Sequence, residues 1–581
     1  MIDRRRAFAF AALAVLWLGT TGLTASPPPE PLTSIAAQAD TVQPVRAPNG
    51  MVVSESVHAS KAGADVLAAG GNAVDAAIAT GFALAVTHPS AGNIGGGGFM
   101  VIRFPDGGTT AVDFREKAPL AAHPDMWLDE SGEYSRTKHH NSHMAVGVPG
   151  TVAGFWKAHR LYGSEEWRRL VLPATGLARD GFDITPRLAR GLQRLVEGRG
   201  SAYEGTVASF SMDGRPLDPG FRLVQTDLAR TMDRIADDGR DGFYKGETAR
   251  LLVAEMERGG GIITLEDLSR YQAKERTPVK GTYRGYDIIS MPPPSSGGIA
   301  MVEMLNILEG YDLTSMGHNS TEYVHYVTEA MRRGFRDRAR FVADVDFVDV
   351  PLHRLTDKDY AAIQRADIDP VRAGVSIPTD ATEPYESPET THYSVVDGDG
   401  MAVSVTYTLE SGYGSAITVP GGGFLLNNEM GDFNAGPGLT NERGLIGTEP
   451  NLARPEQRML SSMTPSILAK DGELVAVVGS PGGRTIINTV MQVILNVVDF
   501  DMNIQEAVNA KRMHHQWLPD AVRIEADGVS PETVAELERA GYTVSVRGGQ
   551  GLAHSIMIDL ENGDRLGAAD HRNVDASAVG N

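Results

Sequence analysis

The sequence has no cysteine. Disulfides, thiolate metal sites and a cysteine nucleophile are therefore excluded together. Basic residues are also short, 53 Lys and Arg against 74 Asp and Glu, for a formal net charge of −21. A general nucleic-acid binder needs basic surface to meet phosphate, so no nucleic-acid partner is expected. No apolar run reaches the roughly 20 residues of a comfortable membrane span. Several catalytic and phosphate-binding signatures are missing too: the G-x-S-x-G elbow, the H-E-x-x-H zinc helix and the Walker A loop. No metal or cofactor is expected. What remains for a nucleophile is Ser, Thr, Lys or a carboxylate.

What is present suits a folded chain. Hydrophobic residues make up 42% of the 581, enough for a sizeable core. The length fits several domains or one large intertwined one. Arg4, Arg5 and Arg6 precede an apolar run from Ala7 to Leu18, then small residues to Ser26. This order reads as a secretory signal peptide over residues 1–26, with an uncleaved membrane anchor as the alternative. A loose twin-arginine match at Arg5-Arg6-Ala7-Phe8 leaves the export route open. Residues 27–48 read as a linker rich in Pro, Ala, Ser and Thr. The mature protein is expected to be soluble and periplasmic or secreted.

Helices are predicted over His58–Ala69, Ala73–Val86 (with Asn72 as N-cap), Ile299–Leu308, Thr321–Phe341 and Arg484–Val498. Strands are predicted over Phe99–Phe104, Thr109–Phe114, His392–Val396, Met401–Thr408, Val475–Val478 and Thr543–Val546. Helices and strands segregate, so a layered α+β sandwich fits better than a Rossmann fold. Gly95 to Gly98 does not fit a dinucleotide fingerprint and reads as a close-packing loop. Pro292 to Gly298 is a rigid loop. The pair His514-His515 lacks metal-ligand spacing and reads as structural or surface.

The strongest hairpin signal spans Thr390-Thr391-His392-Tyr393-Ser394 and Thr406-Tyr407-Thr408-Leu409-Glu410, joined through Asp397-Gly398-Asp399-Gly400. A three-residue loop, Gly398-Asp399-Gly400, places Thr390 opposite Thr408 on one face. A two-residue loop would place Tyr407 or Leu409 there instead.

The run from Thr390 through Gly414 resembles the signature of the γ-glutamyltransferases, also called γ-glutamyltranspeptidases or glutathione hydrolases, within the N-terminal-nucleophile hydrolases. The resemblance covers about residues 47 to 575. It includes Gly71 to Ala77, Gly95 to Phe99, Asp113 to Glu116, Gly147 to Gly150, Pro292 to Gly298, Asn427 to Phe433, Ser461 to Pro465 and Gly479 to Gly483. It implies a four-layer αββα sandwich, self-processed at Glu389–Thr390 into a large subunit (49–389) and a small one (390–581) of one intertwined domain.

The implied chemistry is specific. A threonine hydroxyl needs a base, and an α-amino group titrating near pH 7.7–8.0 can serve once the bond is cut. Thr390 is the implied nucleophile and Thr408 its supporting hydroxyl. Gly482 and Gly483 are the implied oxyanion donors, where glycine leaves the approach open. Arg115, Ser461 and Ser462 are implied to hold the substrate's α-carboxylate, and Asp432 its α-ammonium. Glu410 and Glu429 stand on the ammonium side, where well-known members often carry Asn and Gln. These extra carboxylates should strengthen cation binding or raise one another's pKa by repulsion. Asn434 to Leu460 has the length of the family's lid loop, with Arg443 where some members place an aromatic residue. The expected partners are glutathione and other γ-glutamyl compounds, with water, amino acids or peptides as acceptors. Two alternatives stand beside this reading. One is a glutaryl-type β-lactam acylase of the same superfamily; the other is a processed but inactive peptide-binding protein.

Overall fold

The computed structural model describes residues 43–377, 389–439 and 449–581. The signal-peptide segment, most of the linker and Arg443 lie outside the described residues. Ordered pairing starts at Val45, inside the stretch that composition assigns to the linker. Val45–Ala47 pairs with Arg565–Ala568, and that pairing turns the end of the linker into an edge strand.

Two seven-stranded sheets form the frame. The first runs Val45–Ala47, Arg565–Ala568, Ser555–Ile558, Glu473–Val478, Ser466–Lys470, Tyr286–Ser290 and Val279–Tyr283. The second runs Ser577–Gly580, Met51–Ser54, Thr391–Val396, Ala402–Thr408, Gly97–Arg103, Thr109–Asp113 and Lys274–Arg276. Neighbours in both are antiparallel, so each strand presents alternate side chains to two faces. In the second sheet Val52, Met100, Val112, Val395 and Val403 share a core with the helices outside it. Met51, Val53, Phe99, Val101 and Ala111 instead join a core with the first sheet. That core also takes in helices Gly297–Leu308, Thr321–Phe341 and Thr485–Val498. Helix, sheet, sheet and helix are the four layers of the αββα sandwich.

The outer helix Ala73–Thr87 shows why the layers hold. Every residue in it is buried, as its nearly all-apolar sequence requires. Asn72 caps it by accepting from the N–H groups of Val74 and Asp75, and the Asp75 side chain accepts in return from the Asn72 N–H. Among the described residues, no helix is long and apolar enough to cross a membrane.

The Gly95–Gly98 loop packs as the sequence suggests. A Cβ on Gly95 would lie 2.2 Å from the Leu425 carbonyl oxygen, and one on Gly96 2.1 Å from that of Thr408. Asn93 ties this corner together. Its amide donates to the Thr408 carbonyl at 2.8 Å, and its side-chain oxygen accepts the Gly96 N–H at 2.9 Å. Gly96→Ala should therefore shift the end of the strand that carries Thr408. We expect a loss of about 1–3 kcal/mol, read as a lower thermal unfolding midpoint. An unchanged midpoint would mean the corner can relax around a methyl group.

Candidate active site

The site lies at the open end of the central hairpin of the second sheet. The hairpin register runs from Thr391↔Tyr407 to Val396↔Ala402. The Asp397 N–H donates to the Met401 carbonyl at 3.1 Å and closes the loop Gly398-Asp399-Gly400. Gly400 takes φ +87°, the left-handed residue that this loop needs. Carried one residue further, the register sets Thr390 opposite Thr408. Tyr407 and Leu409 are not in that position.

Both threonine hydroxyls converge on one oxygen. Thr390 Oγ1 donates to the Glu389 carbonyl at 2.7 Å, and Thr408 Oγ1 donates to it at 3.1 Å. The Glu410 N–H donates to Thr408 Oγ1 at 2.9 Å, which leaves the hydroxyl proton for the carbonyl. Glu410 holds φ +77°, a region costly for a residue with a Cβ. The strained residue is thus the one that aims Thr408.

Gly482 and Gly483 lie between strand Glu473–Val478 and helix Thr485–Val498, with φ +136° and +55°. The Gly482 carbonyl accepts from the Thr485 N–H at 3.1 Å and its hydroxyl at 2.7 Å. Neither glycine N–H donates to another described residue.

Arg115 follows strand Thr109–Asp113 and is 1% exposed. Its guanidinium donates to the carboxylates of Glu429 and Asp432. It also donates to the carbonyls of Leu460 at 3.0 Å and Met459 at 3.3 Å. Ser461 and Ser462 are held from behind by the Pro292–Gly298 loop. The Ser461 N–H donates to the Pro294 carbonyl at 3.0 Å, and the Ser296 N–H donates to the Ser461 carbonyl at 2.8 Å. Arg338 donates to Ser462 Oγ at 2.9 Å and Ser296 Oγ at 2.7 Å. One cavity with about 20 Å³ of free space is lined by Thr390 and by every predicted site residue except Gly482. Gly482 lines a second cavity of about 680 Å³, which also reaches Thr390.

The pocket is rich in buried acid. Burial pushes Glu410 up to about 8, with Asp432 adding to the rise. Burial likewise pushes Glu116 up to about 8 against the pull of Arg115, and raises Glu429 well above the carboxylate range. The sequence suggested repulsion between like charges as the cause; burial is the larger one. Burial opposes the charge on Arg115, but Glu429, Asp432 and Glu116 outweigh it and keep the guanidinium cationic.

Sequence reasoning passed over three of these groups. Glu116 stands in the sequence only as one letter of the Asp113 to Glu116 motif. It is fully buried, its Oε2 lies 3.9 Å from Arg115, and neither of its carboxyl oxygens has a hydrogen-bond partner among the described residues. Arg338 sits in a long helix with nothing local to mark it. Asn93 carries no local sequence signal. His514 and His515 are buried and structural: His514 bonds Asn488 and Gln516, and His515 bonds Asp520. No group of three or more His, Asp or Glu side chains among the described residues is arranged to hold a metal ion.

Residues 59–580 match the gamma-glutamyltranspeptidase family. A glutathione hydrolase proenzyme from Escherichia coli (strain K12) is 47% identical over 571 residues, covering 98% of each chain. Among solved structures, a cephalosporin acylase from Bacillus halodurans superposes with a TM-score of 0.81 at 26% identity, covering 97% of this chain and 99% of that one. A gamma-glutamyltranspeptidase from Helicobacter pylori is 44% identical, with a TM-score of 0.54, over 55% of this chain and 91% of that one.

The buried carboxyl groups have a consequence for stability. Glu116, Glu410 and Glu429 hold protons more tightly folded than unfolded. Their contribution is fully present below the ordinary carboxyl pKa, near 4.5, and for Glu116 and Glu410 is lost as pH rises through about 8. Glu410→Gln removes one such titration. Between about pH 5 and about pH 8 its thermal midpoint should fall less than that of the parent protein. Equal falls would show that Glu410 titrates like an exposed carboxyl.

Proposed function

The chain belongs to the gamma-glutamyltranspeptidase family, and from that membership we propose how its geometry carries out the reaction. The protein is a γ-glutamyltransferase and glutathione hydrolase. One observation carries the mechanistic reading: the hydroxyls of Thr390 and Thr408 meet on the Glu389 carbonyl, at the mouth of a pocket that holds a buried arginine among carboxyl groups.

Self-cleavage comes first. Thr390 Oγ attacks the Glu389 carbonyl carbon while Thr408 donates to its oxygen. The C–N bond breaks as the acyl group moves to Oγ, and water then hydrolyses the ester. The products are a Glu389 carboxylate and a free Thr390 amine. That amine titrates near pH 7.7–8.0 and can take the proton from Oγ in each later turnover. The γ-glutamyl carbonyl is attacked next, and the N–H groups of Gly482 and Gly483 receive the oxyanion. The leaving amine departs with a proton, and water, an amino acid or a peptide then releases the γ-glutamyl ester.

The pocket suits a zwitterion. The substrate α-carboxylate takes over Arg115 from Glu429 or Asp432, joined by Ser461 and Ser462. The freed carboxylates, with Glu410, then receive the α-ammonium. Binding exchanges one set of charge-assisted contacts for another, each worth about 1.5–3 kcal/mol. In this reading the protein is exported through residues 1–26, and the segments 49–389 and 390–581 stay together after the cut.

The likeness to a cephalosporin acylase supports a second reading, removal of a glutaryl side chain from a β-lactam. A glutaryl group lacks the ammonium, and the acids around Arg115 would then face nothing. Release rates from γ-glutamyl and glutaryl anilides distinguish the two.

Thr390→Ala should leave an intact chain on a denaturing gel and abolish turnover. N-terminal sequencing of the smaller parent band should start at Thr390. A variant that matures or turns over would assign the nucleophile elsewhere. Thr408→Val keeps the shape and removes the hydroxyl on the Glu389 carbonyl. We expect self-cleavage to slow by about 10-fold or more, the scale of one hydrogen bond to developing charge. A maturation time course at the parent rate would remove Thr408 from the mechanism.

A further inference from the structure

Two larger cavities, both lined by Glu389, lie outside the small pocket. The one of about 680 Å³ is lined by Thr390 and Gly482, and the one of about 1140 Å³ extends along helix Pro186–Glu197. Arg187 lines both. Arg190 and Arg194 line the larger cavity and lie three and seven positions further along the helix, on the same face. The opposite face of this helix buries Ala189, Leu192 and Val196, which fixes the arginine face toward the cavity.

The arginines nearby differ in how they are used. Arg572 is paired with Glu525 and Asp570, and Arg199 donates to the carbonyls of Gly412 and Gly414. Arg187, Arg190 and Arg194 have no hydrogen-bond or ion-pair partner among the described residues. Two acids lie near Arg187, Glu389 and Glu55, and burial raises the pKa of Glu389 against the pull of Arg187 and Arg194. Glu55 is 2% exposed, and burial pushes it up to about 8 despite Arg187. In a chain of net charge −21, this wall is a local reversal of sign.

We propose that Arg187, backed by Arg190 and Arg194, selects leaving groups and acceptors that carry their own carboxylate, such as free amino acids and short peptides with an unblocked C-terminus. The inference rests on the γ-glutamyl reading above and names a specificity-determining residue on the other side of the same bond. In transfer, the acceptor nitrogen forms a C–N bond to the γ-glutamyl carbonyl, and the ester C–O bond to Thr390 breaks. The proton leaving the nitrogen returns to Thr390 Oγ. The acceptor carboxylate meanwhile lies in the cavity that Arg187 and Thr390 share.

The test uses the self-processed enzyme, a γ-glutamyl anilide as donor, and diglycine or glycylglycinamide as acceptor. The two acceptors differ only in the terminal carboxylate. The ratio of their kcat/KM values within one enzyme cancels any change in ester formation. The parent enzyme should prefer diglycine by about tenfold or more, the scale of a charge-assisted contact. Arg187→Gln should bring the ratio close to one, and Arg187→Lys should keep part of it. A parent ratio near one, or the same ratio in Arg187→Gln, overturns the proposal. Should Arg187→Gln fail to mature, added salt tests the parent enzyme directly. The ratio should fall as salt rises, and a salt-indifferent ratio overturns the proposal equally. Absence of anilide release by the parent enzyme would instead count against the γ-glutamyl reading itself.

Discussion

The position of the Glu389 carbonyl governs the site. Its oxygen is held by two hydroxyls from opposite strands, and that is possible only in one hairpin register. A slip of one residue would send one of the two threonine side chains to the helix side of the sheet. The three-residue loop around Gly400 prevents the slip at one end. Asn93 and Gly96 clamp the Thr408 strand at the other. The positive φ of Glu410 then turns its N–H onto Thr408, so backbone strain is spent where it sets the direction of a proton.

The second constraint is electrostatic. A buried ion pair often gains little over a well-packed apolar pair, because desolvation offsets the attraction. The cluster around Arg115 is therefore weak as a stabiliser. In the proposed reading its value lies in recognition of the substrate. Arg115 faces more acid than it can neutralise, and burial keeps part of that acid protonated. In that reading, a ligand with one carboxylate and one ammonium both displaces a carboxylate from Arg115 and meets the acid that this frees. A ligand with only one of them does not. In the proposed reading, selectivity for a zwitterion rests on this exchange of partners around Arg115, in a pocket that leaves about 20 Å³ free in the uncut chain.

Much of this was legible in the residues. Hairpin and register follow from alternation and from the turn glycine, whereas Thr390 as nucleophile comes only with the family resemblance. The helix Ala73–Thr87 and its cap follow from an apolar run after Asn72. The αββα class followed from segregation of elements together with the family resemblance. Other features depend on distance in space and leave no local mark. Arg338 reaches Ser462 across 124 positions of sequence, and nothing beside it in the chain announces that. Glu116 was visible as a letter, but its lack of hydrogen-bond partners is a property of packing. The cause of the raised carboxyl pKa values was misread for the same reason, because burial cannot be counted from composition. The start of the first strand was hidden because Val45–Ala47 gains its partner from Arg565–Ala568, near the other end of the chain.

The placement of Thr391–Val396 has one more consequence. This strand lies between Met51–Ser54, from before the cut, and Ala402–Thr408, from after it. The first sheet likewise holds four strands from after the cut between strands from before it. Two separate chains would have to braid themselves strand by strand to reach this arrangement, whereas one continuous chain does so by folding. The uncut thread thus serves as the loom on which the fabric is woven. Severing it afterwards frees the threonine amine and also makes assembly a one-way event.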